Sequence, residues 1–488
     1  MRRNRRDVGS RYARWAFPAA VVFVLAAPAP PADARQLTVG PEGEYTTIRD
    51  AVADAGPGDT VVVASGLYPE RLQLRTSLVL IGRGWPVIDG GGRGHVLEAF
   101  APIELRGFVI RGSGSTVDTE DAGLMARDAR VRVEGNRFED VFYGVYVKNG
   151  PGSLVRGNRI VGKPFAPARR GDGIRLWYSS GSVIESNDVV GTRDVVVYFS
   201  DSLVVRDNLI VDGRYGLHYM YSDHNRFERN RFLGNRVGAF IMYSTDIELR
   251  DNVFAETARY GGMGLGLKDA DEILAAGNVF VRNGAGIYLD NSPHSRGVTN
   301  RFTGNLIFAN SVGARLLPSV HSNVFSENDF LDNHRPVEIR GGGGGRGFRN
   351  DWRGNAWSEY AGFDEDGDGT GDTPFVYARL ADELLSRHPD LQIFWLSPAV
   401  EALEVLSRFF PLLRPQPIVV DSAPRLGFGQ RQRWEAAPPI SAPPGDAPVR
   451  PATAAALWAG LGLLAAGGVW GAARRARAPR AGSRGASG

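Results

Sequence analysis

Apolar and polar residues alternate in short segments through the middle of the chain, and one such segment recurs many times. It starts at a small or turn-forming residue, at Gly144, Gly173, Asp194, Gly216, Gly238, Gly264, Gly286 and Gly313. The first and third positions after each start are largely apolar, as in Leu265 and Leu267. The position between them is mixed, and consists of Tyr146, Arg175, Val196, His218, Phe240, Gly266, Tyr288 and Arg315. This period-two pattern predicts half-buried strands whose mixed column faces outward.

A second mark, Asn-x-(Phe/Ile/Val), follows fourteen residues after most of these starts. Its asparagines are Asn136, Asn158, Asn187, Asn208, Asn230, Asn252, Asn278, Asn300 and Asn328, and the commonest step is 22 residues. A period of this size indicates a solenoid, and it leaves no room for a helical crossover, so the strands must stack as parallel sheets. Asparagine tolerates left-handed backbone, which predicts a ladder of these residues at a turn.

The predicted fold is therefore an all-β, right-handed parallel β-helix over residues 35–360. A leucine-rich-repeat horseshoe is the alternative, but aromatic residues and asparagines stand where that repeat needs leucines. Helical spacing over 47–55 predicts an N-terminal cap on the first coil. Residues 361–430 are expected to form an acidic loop and a C-terminal cap or docking segment, in which Ser397 and Pro398 start a helix over 399–410.

The two ends of the chain are typical of an exported, anchored protein. Residues 1–34 combine a basic stretch, a short apolar stretch and an A-x-A site, which predicts a signal peptide, with a retained anchor as the alternative. Residues 431–451 are a Pro-rich linker, 452–473 form an uncharged apolar run long enough to span a bilayer, and 474–488 are a basic tail. The positive-inside rule puts that tail in the cytoplasm, so the predicted location is periplasmic, with an inner-membrane anchor.

Charge and cysteine content exclude several classes of function. The formal net charge is +3, and much of the excess arginine lies at the two ends, so nucleic-acid binding gains no support. The chain has no cysteine, which excludes disulfides, cysteine zinc sites and thiol catalysis. Its 62 glycines favour a turn-dense architecture.

Several strings between about Gly173 and Pro415 resemble the NosD family, periplasmic maturation proteins of nitrous oxide reductase. They are GIRLWYS (173–179), RYGLHYMYS (214–222), VGAFIMYS (237–244), GLGLKD (264–269), GIYLDNS (286–292), GNAWSEYAGFDEDGDGTGDTPF (354–375) and LSPAVEALEVLSRFFPLLRP (396–415). The resemblance implies a β-helix that works with an ABC transporter ATPase and permease, a copper chaperone and nitrous oxide reductase. The family's members are mostly soluble, so the C-terminal anchor departs from its pattern.

His218, Met220 and Met242 are the candidate copper ligands. Met220 and Met242 occupy the same position in adjacent coils, and His218 lies two residues before Met220 on the same outward face. Thioether and imidazole ligands suit Cu(I), and so few ligands would bind it loosely enough to pass it on. Met263 is a weaker candidate. The same residues could instead be ordinary exposed positions or a docking surface for a copper chaperone or the reductase.

Asp364, Asp366, Asp368 and Asp372 are candidate calcium ligands, because they stand at alternate positions of a loop with glycines for the turn. The bidentate glutamate of a full calcium loop is missing, since Phe375 stands at its twelfth position. A solvated acidic turn is the alternative.

The competing class is a polysaccharide lyase, hydrolase or epimerase that acts on uronide polymers, and a third class is a surface-adhesion solenoid. An enzyme would need clustered carboxylates, or an Arg, Lys or His base beside them, on one outward face. The outward candidates are Arg175, His218, Lys268, Asp269 and Asp290, with Asp223 and His224 as an acid/base fragment, and we predict no tight set among them. No Walker motif occurs. The resemblance to the NosD family implies that the chain assists copper delivery to nitrous oxide reductase, and the lack of a tight catalytic set predicts that it is not an enzyme.

Overall fold

The protein is described by a computed structural model that covers residues 34–257, 261–340, 350–381, 384, 390, 397–410 and 415–431. These residues form a right-handed parallel β-helix of about 13 turns, which confirms the predicted fold class. The candidate transmembrane helix 452–473, its basic tail and nearly all of the predicted signal peptide and linker lie outside the described residues. Among the residues that are described, no helix is both long and apolar enough to cross a membrane.

Three sheets run along the length of the solenoid, and each complete coil contributes one strand to each sheet, while the two ends add further strands to sheet 1. Sheet 1 consists of Gln36–Val39, Thr60–Val63, Leu78–Gly82, Ile103–Arg106, Val131–Glu134, Leu154–Arg156, Val183–Glu185, Val204–Arg206, Asn225–Glu228, Thr245–Arg250, Asp271–Ala276, Asn300–Thr303, Asn323–Ser326, Asp351–Arg353, Val419–Asp421 and Phe375–Tyr377. Sheet 2 consists of Leu67–Tyr68, Val87–Asp89, Val109–Arg111, Arg137–Val141, Arg159–Gly162, Asp188–Val190, Leu209–Val211, Arg231–Leu233, Val253–Ala255, Val279–Val281, Leu306–Phe308, Asp329–Leu331 and Ala356–Trp357. Sheet 3 consists of Leu72–Leu74, Leu97–Ala99, Ala122–Arg127, Tyr143–Lys148, Ile174–Trp177, Asp194–Tyr198, Tyr215–Met220, Val237–Met242, Met263–Lys268, Ala285–Asp290, Val312–Leu316 and Arg335–Ile339.

The asparagine mark forms the predicted ladder at the turn that leads into sheet 2. The left-handed backbone, however, belongs to the residue before each asparagine, such as Asp207, Arg229 and Asp251, and not to the asparagine itself. Asn208 donates its backbone N–H and its side-chain amide to Oδ1 of Asn230, which donates in the same way to Asn252 at 2.9 and 3.0 Å. Each side-chain amide also donates to a carbonyl of the preceding coil, as from Asn230 to Val205 at 2.8 Å. Every rung therefore satisfies buried polar groups of two neighbouring coils, which fixes the coils in register.

The predicted ladder was wrong at one position. Asn300 lies in sheet 1, where its Oδ1 accepts from the Ile273 backbone N–H, and Asn305 takes the rung above Asn278. The turn before Asn300 is longer than its counterparts in neighbouring coils, so the fixed spacing of fourteen residues fails there. The ladder continues through Asn328 and Asn355 and ends on Asp421.

The glycines that start most sheet 3 strands are required by close packing between coils. A Cβ at Gly238 would lie 2.4 Å from the carbonyl oxygen of Gly264, and a Cβ at Gly216 would lie 2.4 Å from that of Gly238. No side chain fits at such a distance. The small starting residue found in the sequence pattern is therefore a consequence of how closely successive coils approach.

Both ends of the solenoid carry additional structure. The helix Ile48–Asp54 packs at the first coil, and its N-cap residue Thr47 accepts a hydrogen bond from the Asp50 backbone N–H. At the other end Val419–Asp421 returns to sheet 1 and pairs antiparallel with Phe375–Tyr377. The Asp421 carboxylate accepts from the Asn355 amides and from Nε1 of Trp357, which closes the last coil.

The second helix spans Pro398–Phe409, one residue earlier than expected. Ser397 precedes it in extended backbone, but its hydroxyl makes no capping hydrogen bond. Leu403, Leu406 and Phe409 on this helix are exposed. A 3-10 helix also occurs at Pro167–Arg169.

The mixed column of sheet 3 points away from the core, yet not all of it is exposed. Tyr146 and Val196 are only 1% and 2% exposed. Tyr146 belongs to a small apolar cluster outside the sheet with Phe142 and Tyr143, against which Phe165 packs. Segments that pack on the outside of the sheet, which alternation along a single strand cannot reveal, cover this part of the outward face.

Candidate functional site

Met220 and Met242 lie side by side on the outer face of sheet 3. They are direct partners in neighbouring parallel strands, and such positions are about 4.8 Å apart. Met220 is half-buried, whereas Met242 is 9% exposed. The predicted juxtaposition of the two thioethers is therefore present in the fold.

His218 shares this face but already has polar neighbours. Its ring stacks on Tyr215 with centroids 4.8 Å apart, and the Tyr198 hydroxyl lies 3.0 Å from each ring nitrogen. Nδ1 is 3.5 Å from Oδ2 of Asp194. The imidazole is thus oriented by Asp194 and Tyr198, and either nitrogen could bind a metal only after the Tyr198 hydroxyl moves away.

Met263 lies farther along the same face and does not join the pair directly. Its strand partners are Val237 and Ala285, and its Sδ packs with the Phe240 ring over Gly266. A Cβ at Gly266 would lie 2.6 Å from that sulfur. The Met263 side chain therefore fills the space over Gly266 beside the Phe240 ring, and Met263 remains the weaker copper candidate.

A network of buried charges extends from His218 toward Arg175. Asp172 and Asp194 are fully enclosed, and Arg193 contacts both carboxylates at 2.9 and 3.5 Å. Arg175 lies 3.4 Å from Asp172, and Arg214 pairs with Asp194. We predicted no tight set among the outward candidates, yet these contacts link two of them, Arg175 and His218, through Asp172, Arg193 and Asp194, none of which the sequence analysis considered as part of a charged site.

The buried carboxylates of this network differ in pKa. Burial raises the pKa of Asp172 to about 6, against the opposing effect of Arg193. The pKa of Asp194 is lowered despite burial, because His218 and Arg214 donate hydrogen bonds to it. Burial also raises the pKa of Tyr198 to about 12, so its phenol stays protonated at neutral pH.

The remaining outward candidates form separate pairs. Lys268 is 3.4 Å from Asp290, and His224 bonds to Asp246 at 2.8 Å rather than to its neighbour Asp223. Lys268 and Asp290 continue the column of Met220 and Met242, whereas His224 and Asp246 lie on another column, and neither pair joins the Asp172 network. The Asp223 and His224 fragment is therefore not an acid/base pair.

A column of stacked aromatic rings stands directly beside the methionines, and we call it the aromatic ladder. It consists of Tyr178, Phe199, Tyr221 and Tyr243, whose neighbouring ring centroids are 4.8, 5.3 and 5.0 Å apart. All four residues have positive φ, between 49° and 53°. Bulky residues rarely adopt this conformation. The sequence analysis missed the ladder, although Trp177-Tyr178, Tyr198-Phe199, Met220-Tyr221 and Met242-Tyr243 recur with nearly constant spacing.

A row of buried serines holds the backbone under the aromatic ladder. Ser179 donates its backbone N–H to Oγ of Ser200, Ser200 to Ser222, and Ser222 to Ser244. Each hydroxyl donates in turn to the carbonyl two residues earlier, as from Ser222 to Met220 at 3.0 Å. These bonds fix the turn that gives the aromatic residues their left-handed backbone.

The acidic loop brings three of its four candidate ligands together. Carboxylate oxygens of Asp364, Asp366 and Asp368 lie within 4.8 Å of one another. Asp372 is not part of this group, and its Oδ2 accepts from the Glu365 backbone N–H. Backbone N–H groups that bond to Asp364 lower its pKa, so it is ionised at neutral pH. The three carboxylates have the oxygen chemistry that calcium prefers.

This geometry defines a parallel β-helix whose chemically distinctive residues lie on its outer face rather than inside it. Residues 156–362 match the profile of the family described as "Periplasmic copper-binding protein (NosD)". The proteins named "Probable ABC transporter binding protein NosD" from Pseudomonas aeruginosa and Stutzerimonas stutzeri are each 27% identical to this chain. The alignments cover 74% of this chain, with 87% and 85% of the respective relatives. Over these residues the chain is similar to the NosD family.

The chain also has a weak likeness to solved structures. They include the periplasmic alginate epimerase AlgG (14% identity, TM-score 0.36, 58% of this chain and 77% of that one). The Azotobacter vinelandii mannuronan C-5 epimerase AlgE4 A-module has 15% identity and a TM-score of 0.36, with 63% and 84% covered. At this level of likeness they carry no argument about activity.

Proposed function

We propose that this chain is a periplasmic accessory protein that assists copper delivery to nitrous oxide reductase together with an ABC transporter, and that it is not an enzyme. The family description names copper and the periplasm, and the relatives' printed names refer to an ABC transporter. The copper chaperone and nitrous oxide reductase are proposed as partners because the resemblance to the NosD family implies them. No Walker motif occurs in the chain, so the partner ATPase would hydrolyse ATP.

The observation that carries the proposal is the register that pairs Met220 with Met242 on the outer face. Two thioethers and the nearby His218 imidazole would hold Cu(I), for which soft ligands are suited. A site with few ligands on an open face would bind the ion weakly and release it to a second protein. Nucleotide-driven movement of the transporter would be passed through the solenoid to the bound donor or acceptor.

A Cu(I) titration of the purified protein tests this proposal. The His218→Ala, Met220→Ala, Met242→Ala triple variant should bind Cu(I) at least about tenfold more weakly, which corresponds to about 1.4 kcal/mol. The more conservative Met220→Leu, Met242→Leu double variant should lose affinity in the same direction without a large loss of side-chain volume. Met125→Leu is the matched control, because Met125 is fully buried outside the candidate site. Unchanged affinity in the triple variant would remove the site.

The second candidate function is a uronide lyase, hydrolase or epimerase. The observation in its favour is that Arg175, Tyr198 and His218 share one outward face with buried Asp172 and Asp194. Many of the hydrogen-bonding and charged groups of these side chains already bond within the network, so few of them remain to bind a substrate. Reproducible turnover of alginate or pectin, lost in a His218→Ala variant, would favour this function over the accessory role.

A further inference from the structure

The aromatic ladder occupies a column of the solenoid that elsewhere carries small polar residues. Below it the same turn position is filled by Asp128 and Asn149, and above it by Asp269 and Asn291, all with φ between 47° and 54°. Asparagine and aspartate are the residues that tolerate left-handed backbone best. Among the described coils, aromatic rings occur at this position in the two that carry the methionines and in the two that precede them, although aromatic side chains suit this backbone conformation less well.

The four rings cover one another's faces and leave their edges and tips to solvent. The exposed fractions of Tyr178, Tyr221 and Tyr243 are 53%, 46% and 38%. Because neighbouring rings stack nearly parallel, with interplanar angles of 5° to 11°, most faces are unavailable for stacking on a sugar ring. The ladder is thus suited to edge contact with a protein surface, where tyrosine and methionine are favoured.

The residues just before the ladder extend this surface to the proposed copper ligands. Trp177, Tyr198, Met220 and Met242 each precede one member of the aromatic ladder and form the adjoining column. The ring centroids of Trp177 and Phe199 are 5.5 Å apart, so the two columns form one continuous surface. A protein that delivers an ion to Met220 and Met242 must therefore cover the ladder as it approaches.

Carboxylates line the opposite side of the aromatic ladder. Asp201 accepts from the Asp223 backbone N–H, and Asp223 accepts from that of Thr245, so both side chains belong to one column that follows the same coils. Asp246 lies beyond them and pairs with His224. This acidic border favours a partner whose docking face is positively charged.

We propose that the aromatic ladder, with its acidic border, is the docking surface for the Cu(I)-loaded form of a copper-donor protein. This inference rests on the proposed function. A donor that holds Cu(I) with neutral ligands, such as thioether or imidazole groups, gains the positive charge of the ion, so it is more cationic at its metal site than the same donor without copper. The acidic border therefore attracts the loaded donor more strongly, and transfer of the ion to Met220 and Met242 weakens the attachment and promotes release.

The experiment measures how tightly the purified full-length protein binds a copper chaperone of nitrous oxide reductase, with and without Cu(I). The test variant is Tyr178→Asn, Tyr221→Asn, Tyr243→Asn, because asparagine already occupies this turn position at Asn149 and Asn291. The control is Trp85→Asn, since Trp85 is an exposed aromatic residue with φ 58° far along the chain from the ladder. Thermal unfolding checks that both variants are folded.

The triple variant should bind the loaded donor at least about tenfold more weakly, as expected for loss of interface aromatic residues. Its own Cu(I) affinity should be unchanged, and Trp85→Asn should bind the donor like the wild type. The wild type should prefer loaded to unloaded donor, and Asp201→Asn, Asp223→Asn should reduce that preference and its salt dependence. Unchanged donor binding in the triple variant, or equal binding of loaded and unloaded donor, would overturn the inference.

The two proposals fail in different ways. A wild-type protein that binds no Cu(I) refutes the proposed copper function even if it holds the donor through the ladder. A protein that binds Cu(I) but holds the donor equally well without the tyrosines refutes the docking surface alone.

Discussion

Asp172 shows most clearly how a single buried residue affects this solenoid. Its carboxyl is fully enclosed on the outer side of sheet 3, with Arg175 and Arg193 as its cationic neighbours. Burial is the largest influence and raises its pKa to about 6, above the 3.8 of an unperturbed aspartate. The folded protein therefore binds a proton at this site over a range of pH in which the unfolded chain has released it.

This difference predicts that the Asp172 contribution to stability is greatest below about pH 4 and is lost as the pH rises through about 6. The shift of roughly two units sets an upper limit of about 3 kcal/mol. In Asp172→Asn the free energy of unfolding should fall less between pH 4 and pH 7 than it does in the wild type, as measured by chemical denaturation. Asp128→Asn, at an exposed turn, serves as the control. Parallel pH profiles for the wild type and Asp172→Asn would contradict the assignment.

Residue-level prediction from the sequence was strongest where a residue type recurs. The methionine pair followed from spacing alone, because both residues hold the same place in adjacent coils. The charged network could not be found in this way, since Asp172 and Arg193 belong to different coils and carry no repeated mark. The repeat pattern does not distinguish Tyr198 either, although its hydroxyl orients His218.

At the scale of elements, the approach of neighbouring sheet 3 strands limits which residues can begin them. The nearest atom to a Cβ at Gly238 would be a backbone oxygen of the next coil, which cannot move without disturbing that strand. The recurring glycine is therefore a packing requirement rather than a turn signal. The glycines mark the repeat in the sequence, whereas their role in close packing is visible only in the structure.

Gly238→Ala should lower the free energy of unfolding by roughly 1–3 kcal/mol, the range for overpacking a close contact. The inserted methyl would also meet Cδ1 of Phe254 at 2.9 Å. Chemical denaturation measures the effect, and Gly427→Ala is the control because no atom lies within 4 Å of a Cβ there. An equal effect of the two substitutions would show that coil spacing is not the limiting factor.

The misassigned Asn300 shows why spacing alone cannot locate every element. Strands are held in place by pairing with their neighbours, whereas turns can lengthen on the outside without disturbing the stack. The longer turn before Asn300 moves the next ladder asparagine to position 305. The helix at Pro398–Phe409 was predictable to within one residue, because a proline at its first turn is a local signal.

On the scale of the whole molecule, the C-terminal segment and the acidic loop complete the last coils. Gly371 donates its backbone N–H to the Pro424 carbonyl at 2.7 Å, and Leu426 donates to Gly369 at 3.1 Å. The loop that contains Asp364, Asp366 and Asp368 is thus attached to the segment that returns to sheet 1. Whatever stabilises the loop should stabilise the closure of the solenoid.

We predict that calcium raises the unfolding temperature of the protein, because an ion held by the three carboxylates binds only the folded loop. At saturating calcium the gain should be roughly 1–3 kcal/mol. Asp364→Asn, Asp366→Asn should abolish the shift, and Glu365→Gln should retain it, since Glu365 is exposed and outside the group. Differential scanning calorimetry with calcium and with a chelator provides the measurement. A shift that survives in the double variant would place the ion elsewhere.

The constant spacing of the coils also fixes distances along the solenoid axis. Each coil adds about 4.8 Å along the axis, so the number of coils between the methionine pair and the closed C-terminal end sets the distance between them. Removal of one whole 22-residue unit above the pair would shorten that distance by a single step, and the rungs on either side of the deletion would then pair with each other. The fold can therefore change its reach in fixed increments, without any change in the chemistry at either end.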